Sequence, residues 1–306
     1  MRWSWAVVLM VSLQAGPGAQ ARAASGDSAL QQQIREIAAG AKGTVSVACS
    51  LPGTRLNCDL NPRAHPPMQS VFKLPLAIAV LHKVERGRLS LGQPVRFMPE
   101  DRIPHAYSPL QDKYPEAGVE VSLRELLRLA VVESDNVAAD ILLRVADGAG
   151  TSDGAMTVND YIASLGVTGL QLRDGEDVLH RDATAQYRNW FEPAGAVALL
   201  RRLADRSPLT REDTELLLGW MRGSRLNTRI GGDLPAGTMV AHKSGTSDVD
   251  LGLAHATNDI GLITLPDGRR LAIAVFLTDS TAGDAERDKT IARIARAAYD
   301  AAVGMR

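Results

Sequence analysis

A chain of 306 residues with 34 Lys+Arg against 35 Asp+Glu has a formal net charge of -1, and it carries neither a basic block nor interleaved aromatic and basic residues, so nucleic acid is set aside as a partner. At 45% hydrophobic and 23% charged it has globular composition, and its length suits one large domain or two intertwined lobes. No His, Cys and Asp lie at metal-ligand spacing, so neither a metal nor another cofactor is expected, and any activity should survive a chelator.

Taken in chain order, residues 1–23 read as a secretory signal peptide. Arg2 supplies the positive end, residues 3–13 are mostly apolar, and Ala19-Gln-Ala21 or Ala21-Arg-Ala23 offers a cleavage site. The apolar run is shorter than the ~20 residues a spanning helix needs. The expectation is an exported protein, periplasmic or secreted, with no membrane attachment after cleavage. Residues 44–48 and 55–60 read as two strands of a hairpin turning at Pro52-Gly53. With Gly53-Thr54 as the loop, Cys49 would lie opposite Cys58, and either a disulfide or two buried thiols fits.

The organising stretch is Met68-Gln-Ser-Val-Phe-Lys-Leu-Pro75. Ser70 and Lys73, three residues apart, share one face of a helix predicted over residues 73–84 and stopped by Gly87. Pro75 is tolerable only because it falls near the helix start. A serine hydroxyl becomes a good nucleophile when a base takes its proton, and a lysine serves as that base once burial or nearby charge disfavours its cation. Free N–H groups at a helix start also suit an oxyanion. The bland alternative is a capping serine beside a solvated lysine.

Further helices are predicted over 123–132, opened by Ser122 with Glu125 as a capping box, and over 137–145. Others follow over 158–165 after Thr157, over 194–205, and over 211–221 after Thr210, with Gly166 and Gly223 as stops. Strands follow over 238–243, 260–264 and 270–277, the last two joined by a turn at Asp267-Gly268. A final helix covers 284–302. The first and last parts (24–69 and 224–306) therefore form one antiparallel sheet lobe covered by helices, an α/β (α+β) arrangement. Residues 70–223 form an all-helical lobe, and the active site lies at the seam.

Three more pieces carry chemistry. Ser134-Asp-Asn136 at a helix junction offers a second hydroxyl and an amide, although Ser, Asp and Asn also favour plain turns. Lys243-Ser-Gly-Thr246 ends a strand with a cation and hydroxyls suited to an anionic substrate, and Gly245 permits close backbone approach; a protective edge lysine is the alternative. Glu176 lies in a polar, glycine-containing loop where a solvated carboxylate is, on its own, the more ordinary reading. Together Ser70-x-x-Lys73, Ser134-Asp-Asn136 and Lys243-Ser-Gly245 resemble the motifs of class A serine β-lactamases, within the penicillin-recognising serine enzymes. Tyr107-Ser-Pro109, the hairpin before Ser70, and Leu234-Pro-Ala-Gly237 extend the resemblance over nearly all of the chain after residue 23.

The resemblance implies a β-lactamase/transpeptidase-like fold with a five-stranded antiparallel sheet, a monomer, and small-molecule β-lactams as substrates. It implies that Ser70 is acylated, Lys73 helps take its proton, Ser134 protonates the departing nitrogen and Glu176 activates the deacylating water. It further implies that the N–H groups of Ser70 and Thr246 form an oxyanion hole, with Gly245 beside them. Lys243 and Ser244 would bind the substrate carboxylate with Arg229 nearby, Asn136 would hold the side-chain amide, and Tyr107 would line the entrance. Two departures mark a divergent branch. His180 replaces the asparagine four residues after the glutamate, and Asp174 and Asn189 stand where an arginine–aspartate clasp usually closes the loop. Ser247 points weakly to oxyimino-cephalosporin acceptance, and His242 reads as structural. Two other readings are a D,D-peptidase that binds penicillin and stalls, and a non-catalytic β-lactam sensor. Glu176 and the lack of a second hydrophobic segment weigh against both.

Overall fold

The computed structural model describes residue 1 and residues 28–147, 154–182, 184–205 and 208–305. The signal-peptide reading falls on residues 2–23, outside them. In chain order the helices are α1 (Ala29–Ala39), α2 (Lys73–Glu85), α3 (Pro109–Lys113), α4 (Leu123–Arg128), α5 (Asn136–Asp147), α6 (Gly154–Ser164), α7 (Glu176–Arg181), α8 (Pro193–Ala204), α9 (Arg211–Arg222) and α10 (Asp284–Gly304). The strands are β1 (Thr44–Ser50), β2 (Pro94–Arg96), β3 (Glu120–Ser122), β4 (Leu170–Gln171), β5 (Trp190–Phe191), β6 (Val240–Thr246), β7 (Val249–Asp250), β8 (Leu253–Thr264) and β9 (Arg270–Ser280).

The five-stranded sheet runs β1-β9-β8-β6, with β7 paired to β8, and every pairing is antiparallel. It is the expected fold class. β9 is buried on both faces, so it reads as an unbroken apolar run rather than an alternation. Ala272, Ala274 and Phe276 point into a core shared with α2, α4, α5 and α8, while Leu271, Ile273, Val275 and Leu277 point into a second core under α1 and α10. α2 is buried from Lys73 to Leu81, so it forms the axis of the helical core.

Four local expectations need correcting. Residues 55–60 form no strand; a single bridge joins Val47 to Leu60. Asn57 Oδ1 accepts from its own chain at Asp59 N (2.9 Å), a local bond that competes with a ladder. The fifth strand is instead β7. Cys49 and Cys58 are nevertheless joined in a disulfide, with Cα atoms 5.8 Å apart. Thr157 lies inside α6 rather than capping it. α1 was not anticipated: only Ile34 and Ile37 of it are buried, too thin a stripe to stand out, although Ser28 and Gln31 close a full capping box. Finally, the helix after Ser122 turns π-helical over Leu129–Glu133 and ends with Ser134 left-handed at φ 61°.

Candidate active site

Gln69–Phe72 forms a 3-10 turn leading directly into α2, which sets Lys73 Nζ 2.9 Å from Ser70 Oγ. The lysine is fully buried. Its ammonium also meets Ser134 O at 2.8 Å, Asn136 Oδ1 at 2.5 Å and Glu176 Oε1 at 2.9 Å. Glu176 Oε1 is 3.5 Å from Ser70 Oγ. Residues up to 106 apart in sequence thus converge on one amine, and the buried charges of Lys73 and Glu176 pair with each other.

Glu176 is neither in a loop nor solvated. It is the first residue of α7 and only 3% exposed. Its position depends on Asp140, which the sequence reading did not single out. Asp140 Oδ1 accepts from Glu176 N (2.7 Å) and Oδ2 from Asp177 N (2.9 Å), so a side chain of α5 caps α7. Burial first, then the charge of Glu176, pushes the Asp140 carboxyl up to about 7. A Cβ on Gly175 would lie 2.6 Å from Asp140 Oδ1, so the cap requires glycine there. The available signal was spacing: Asp140 lies four residues after Asn136, one turn along the same helix face. His180 Nδ1 sits 2.7 Å from Glu176 O. A carbonyl only accepts, so Nδ1 carries a proton, and in the neutral ring Nε2 is the acceptor.

The loop neck is closed without the usual clasp. Asn189 Oδ1 accepts from Arg173 N (2.8 Å) and Asp174 N (3.0 Å), while its Nδ2 donates to Asp174 O (2.8 Å). Arg188 Nε adds a bond to Asp174 Oδ2 at 2.8 Å. Asn189 O also accepts from Met68 N at 3.0 Å, tying the neck to the turn that carries Ser70.

Opposite, β6 presents Lys243, buried, with Nζ donating to Ser134 Oγ and Ser244 O, both at 2.9 Å. Burial, and then the charges of Lys73 and Arg229, bring the Lys243 ammonium down to about 7, against the pull of Asp259 and Glu176. A Cβ on Gly245 would come within 2.5 Å of Met68 O and 3.2 Å of Ser70 N, so the strand lies flat against the Ser70 turn only because that side chain is missing. Arg229 does not line the cavity. It is buried behind β6, with Nη2 on Thr246 Oγ1 (2.8 Å), Nη1 on Gly245 O (3.0 Å) and Asn258 O (2.8 Å), and Nε on Asp288 Oδ1 (2.8 Å). His242 Nδ1 is paired with Asp259 Oδ1 at 2.9 Å.

Asp135, fully buried, bonds Ser108 Oγ (2.8 Å), Leu110 N (2.7 Å) and Ala138 N (2.8 Å), while Asn136 N donates to Tyr107 O (3.2 Å). This braces Tyr107, 57% exposed at the rim. The cavity of about 650 Å³ is lined by Ser70, Ser134, Asn136, Glu176, Lys243 and Thr246 among others, with Ser247 on its wall. Among the described residues no group of three or more His, Cys, Asp or Glu is placed to hold a metal ion.

A model of the β-lactamase enzyme family matches residues 29–302. The chain belongs to that family. It is 38% identical over 271 residues to the extended-spectrum β-lactamase PER-1 of Pseudomonas aeruginosa, covering 88% of this chain and 86% of that protein. The crystal structure of a β-lactamase from Chitinophaga pinensis superposes with a TM-score of 0.84 at 40% identity, over 89% of this chain and 99% of that one. The extended-spectrum β-lactamase TLA-1 gives 0.85 at 35%, over 90% and 98%. The chain is a hydrolase of β-lactams and a resistance determinant of class A. These relatives lend no support to the peptidase or the sensor.

Proposed function

We propose that this β-lactamase turns over through an ester on Ser70. The observation that carries the reading is the bridge of Lys73 Nζ, 2.9 Å from both Ser70 Oγ and Glu176 Oε1. As Ser70 Oγ attacks the lactam carbonyl, its proton passes to the Lys73–Glu176 pair. The oxyanion is met by the N–H groups of Ser70 and Thr246. The C–N bond breaks, Ser134 Oγ delivers a proton to the departing nitrogen, and the proton held by the Lys73–Glu176 pair replaces it on Ser134, leaving Glu176 a carboxylate again. Lys243 and Ser244 hold the substrate carboxylate and Asn136 its side-chain amide. Arg229 acts on the carboxylate end through Thr246. Glu176 then takes a proton from water as that water attacks the ester, and Ser70 leaves as the alcohol. His180 Nε2 is a further acceptor for positioning that water.

The names of PER-1 and TLA-1, together with a cavity of about 650 Å³, support an extended spectrum that includes oxyimino cephalosporins. The enzyme acts as an exported monomer. Glu176→Ala should still acylate but lose about 10²–10⁴-fold in turnover, accumulating an adduct visible by intact-protein mass spectrometry. Rapid turnover by that variant would remove Glu176 from the role.

A further inference from the structure

Opposite the neck, the return limb of the 173–189 loop is fastened a second time, to the sheet. Tyr187 Oη lies 2.5 Å from Asp279 Oδ1 and 2.6 Å from His255 Nδ1, and His255 Nδ1 is 3.2 Å from Asp279 Oδ1. Ala254 pairs with Ser280 and Ala256 with Thr278, so His255 on β8 and Asp279 on β9 are cross-strand neighbours. The ionised carboxylate only accepts, so the phenol donates to Asp279 and His255 Nδ1–H donates to the phenol oxygen. Burial and then Asp279 push the phenol pKa up, which keeps it a donor. Asp279 holds a left-handed φ of 51°, an unfavourable conformation that persists where surrounding contacts enforce it.

The residue before Tyr187 faces the cavity. Gln186 Oε1 accepts from Gln69 Nε2 at 2.7 Å, and Gln69, Gln186 and His255 all line the pocket. One wall thus runs from the neighbour of Ser70 across the loop limb to β8, and Tyr187 fastens its far end to β8 and β9.

We infer that Tyr187, His255 and Asp279 form a latch whose work is to hold this wall for the acyl side chain of bulky substrates. Tyr187 and Asp279 are positioning residues that act through Gln186 and His255. A wall already in place spares the substrate the cost of ordering it. A small acyl group does not reach it. Glu176 is held separately by Asp140, so the chemical steps do not depend on the latch. The inference rests on the reading that this cavity takes the β-lactam at Ser70.

Tyr187→Phe keeps the ring and removes the oxygen. In the purified enzyme it should raise KM for an oxyimino cephalosporin about fivefold, the worth of a typical net hydrogen bond. KM for benzylpenicillin and kcat for both substrates should stay near wild type. Asp279→Ala should reproduce the selective rise, and Asp279→Asn, which keeps an acceptor oxygen, should restore wild-type KM. A uniform change for both substrates, no change, or a fall in Tm with unaltered kinetics overturns the latch while leaving hydrolysis at Ser70 standing. Ser70→Ala measured alongside tests the parent reading, since turnover that survives it sinks both.

Discussion

Lys243 is paired with no carboxylate among the described residues; its ammonium rests on a hydroxyl and a carbonyl, Ser134 Oγ and Ser244 O. Its burial and its cationic neighbours lower the pKa to about 7, so the free enzyme carries the charge below that pH and sheds it above. In the proposed mechanism, binding of a carboxylate substrate needs the cation. KM should therefore rise as pH climbs through about 7, by roughly tenfold per unit once deprotonation dominates. Lys243→Arg, which keeps its charge, should flatten that rise; steady-state KM between pH 6 and 9 is the check. Asp140 is the other residue whose role appears only in three dimensions. Removing its carboxylate in Asp140→Ala frees the N–H groups of Glu176 and Asp177. If Glu176 is the base proposed above, its displacement should cost about 100-fold in deacylation, read as partial accumulation of the acyl-enzyme in the steady state. The Ser70–Lys73 pairing was legible because three-residue spacing in a helix leaves little choice. Asp140 was not, because nothing in a helix pattern says which loop its outer face will meet.

Among the elements, the 173–189 loop shows how a missing motif is replaced. The absence of the arginine–aspartate clasp can be seen in the sequence, but the replacement cannot. Asn189 occupies its place with three hydrogen bonds to the opposite backbone, and Arg188 adds an ion pair to Asp174. The two should differ in weight. Asn189→Ala leaves two half-buried N–H groups unpaired, which costs about 2–3 kcal/mol. Arg188→Ala removes an exposed, solvent-screened ion pair that contributes little. Amide exchange within 173–189 should therefore accelerate strongly in the first variant and little in the second. The 55–60 segment went the other way: β-branched and apolar spacing is modest there, and an asparagine bonding two residues ahead diverts the backbone from a ladder it was expected to join.

In the whole molecule, the sheet separates two cores, and the Cys49–Cys58 bridge lies on the side of α1 and α10, away from the Ser70 turn. Closing so short a loop should stabilise by about 2–3 kcal/mol through the unfolded chain. Cys49→Ala with Cys58→Ala should lower the urea midpoint while leaving hydrolysis intact. Sequence alone determined the helices and strands whose periodicity and caps are local, the spacing of Ser70 with Lys73, and the family that the three motifs mark. It also carried the assignment of β9 as a buried strand, because the chain is apolar at every position from Leu271 to Leu277. Tertiary structure alone decided that Glu176 is buried against Lys73, that Asp140 and Asn189 hold it there, that Arg229 stands behind Thr246 and that β7, not residues 55–60, completes the sheet. The difference is physical. Local conformation follows from each residue's own torsions and its neighbours one turn away. Contacts a hundred residues apart follow from how two cores pack against one sheet, which no local pattern encodes.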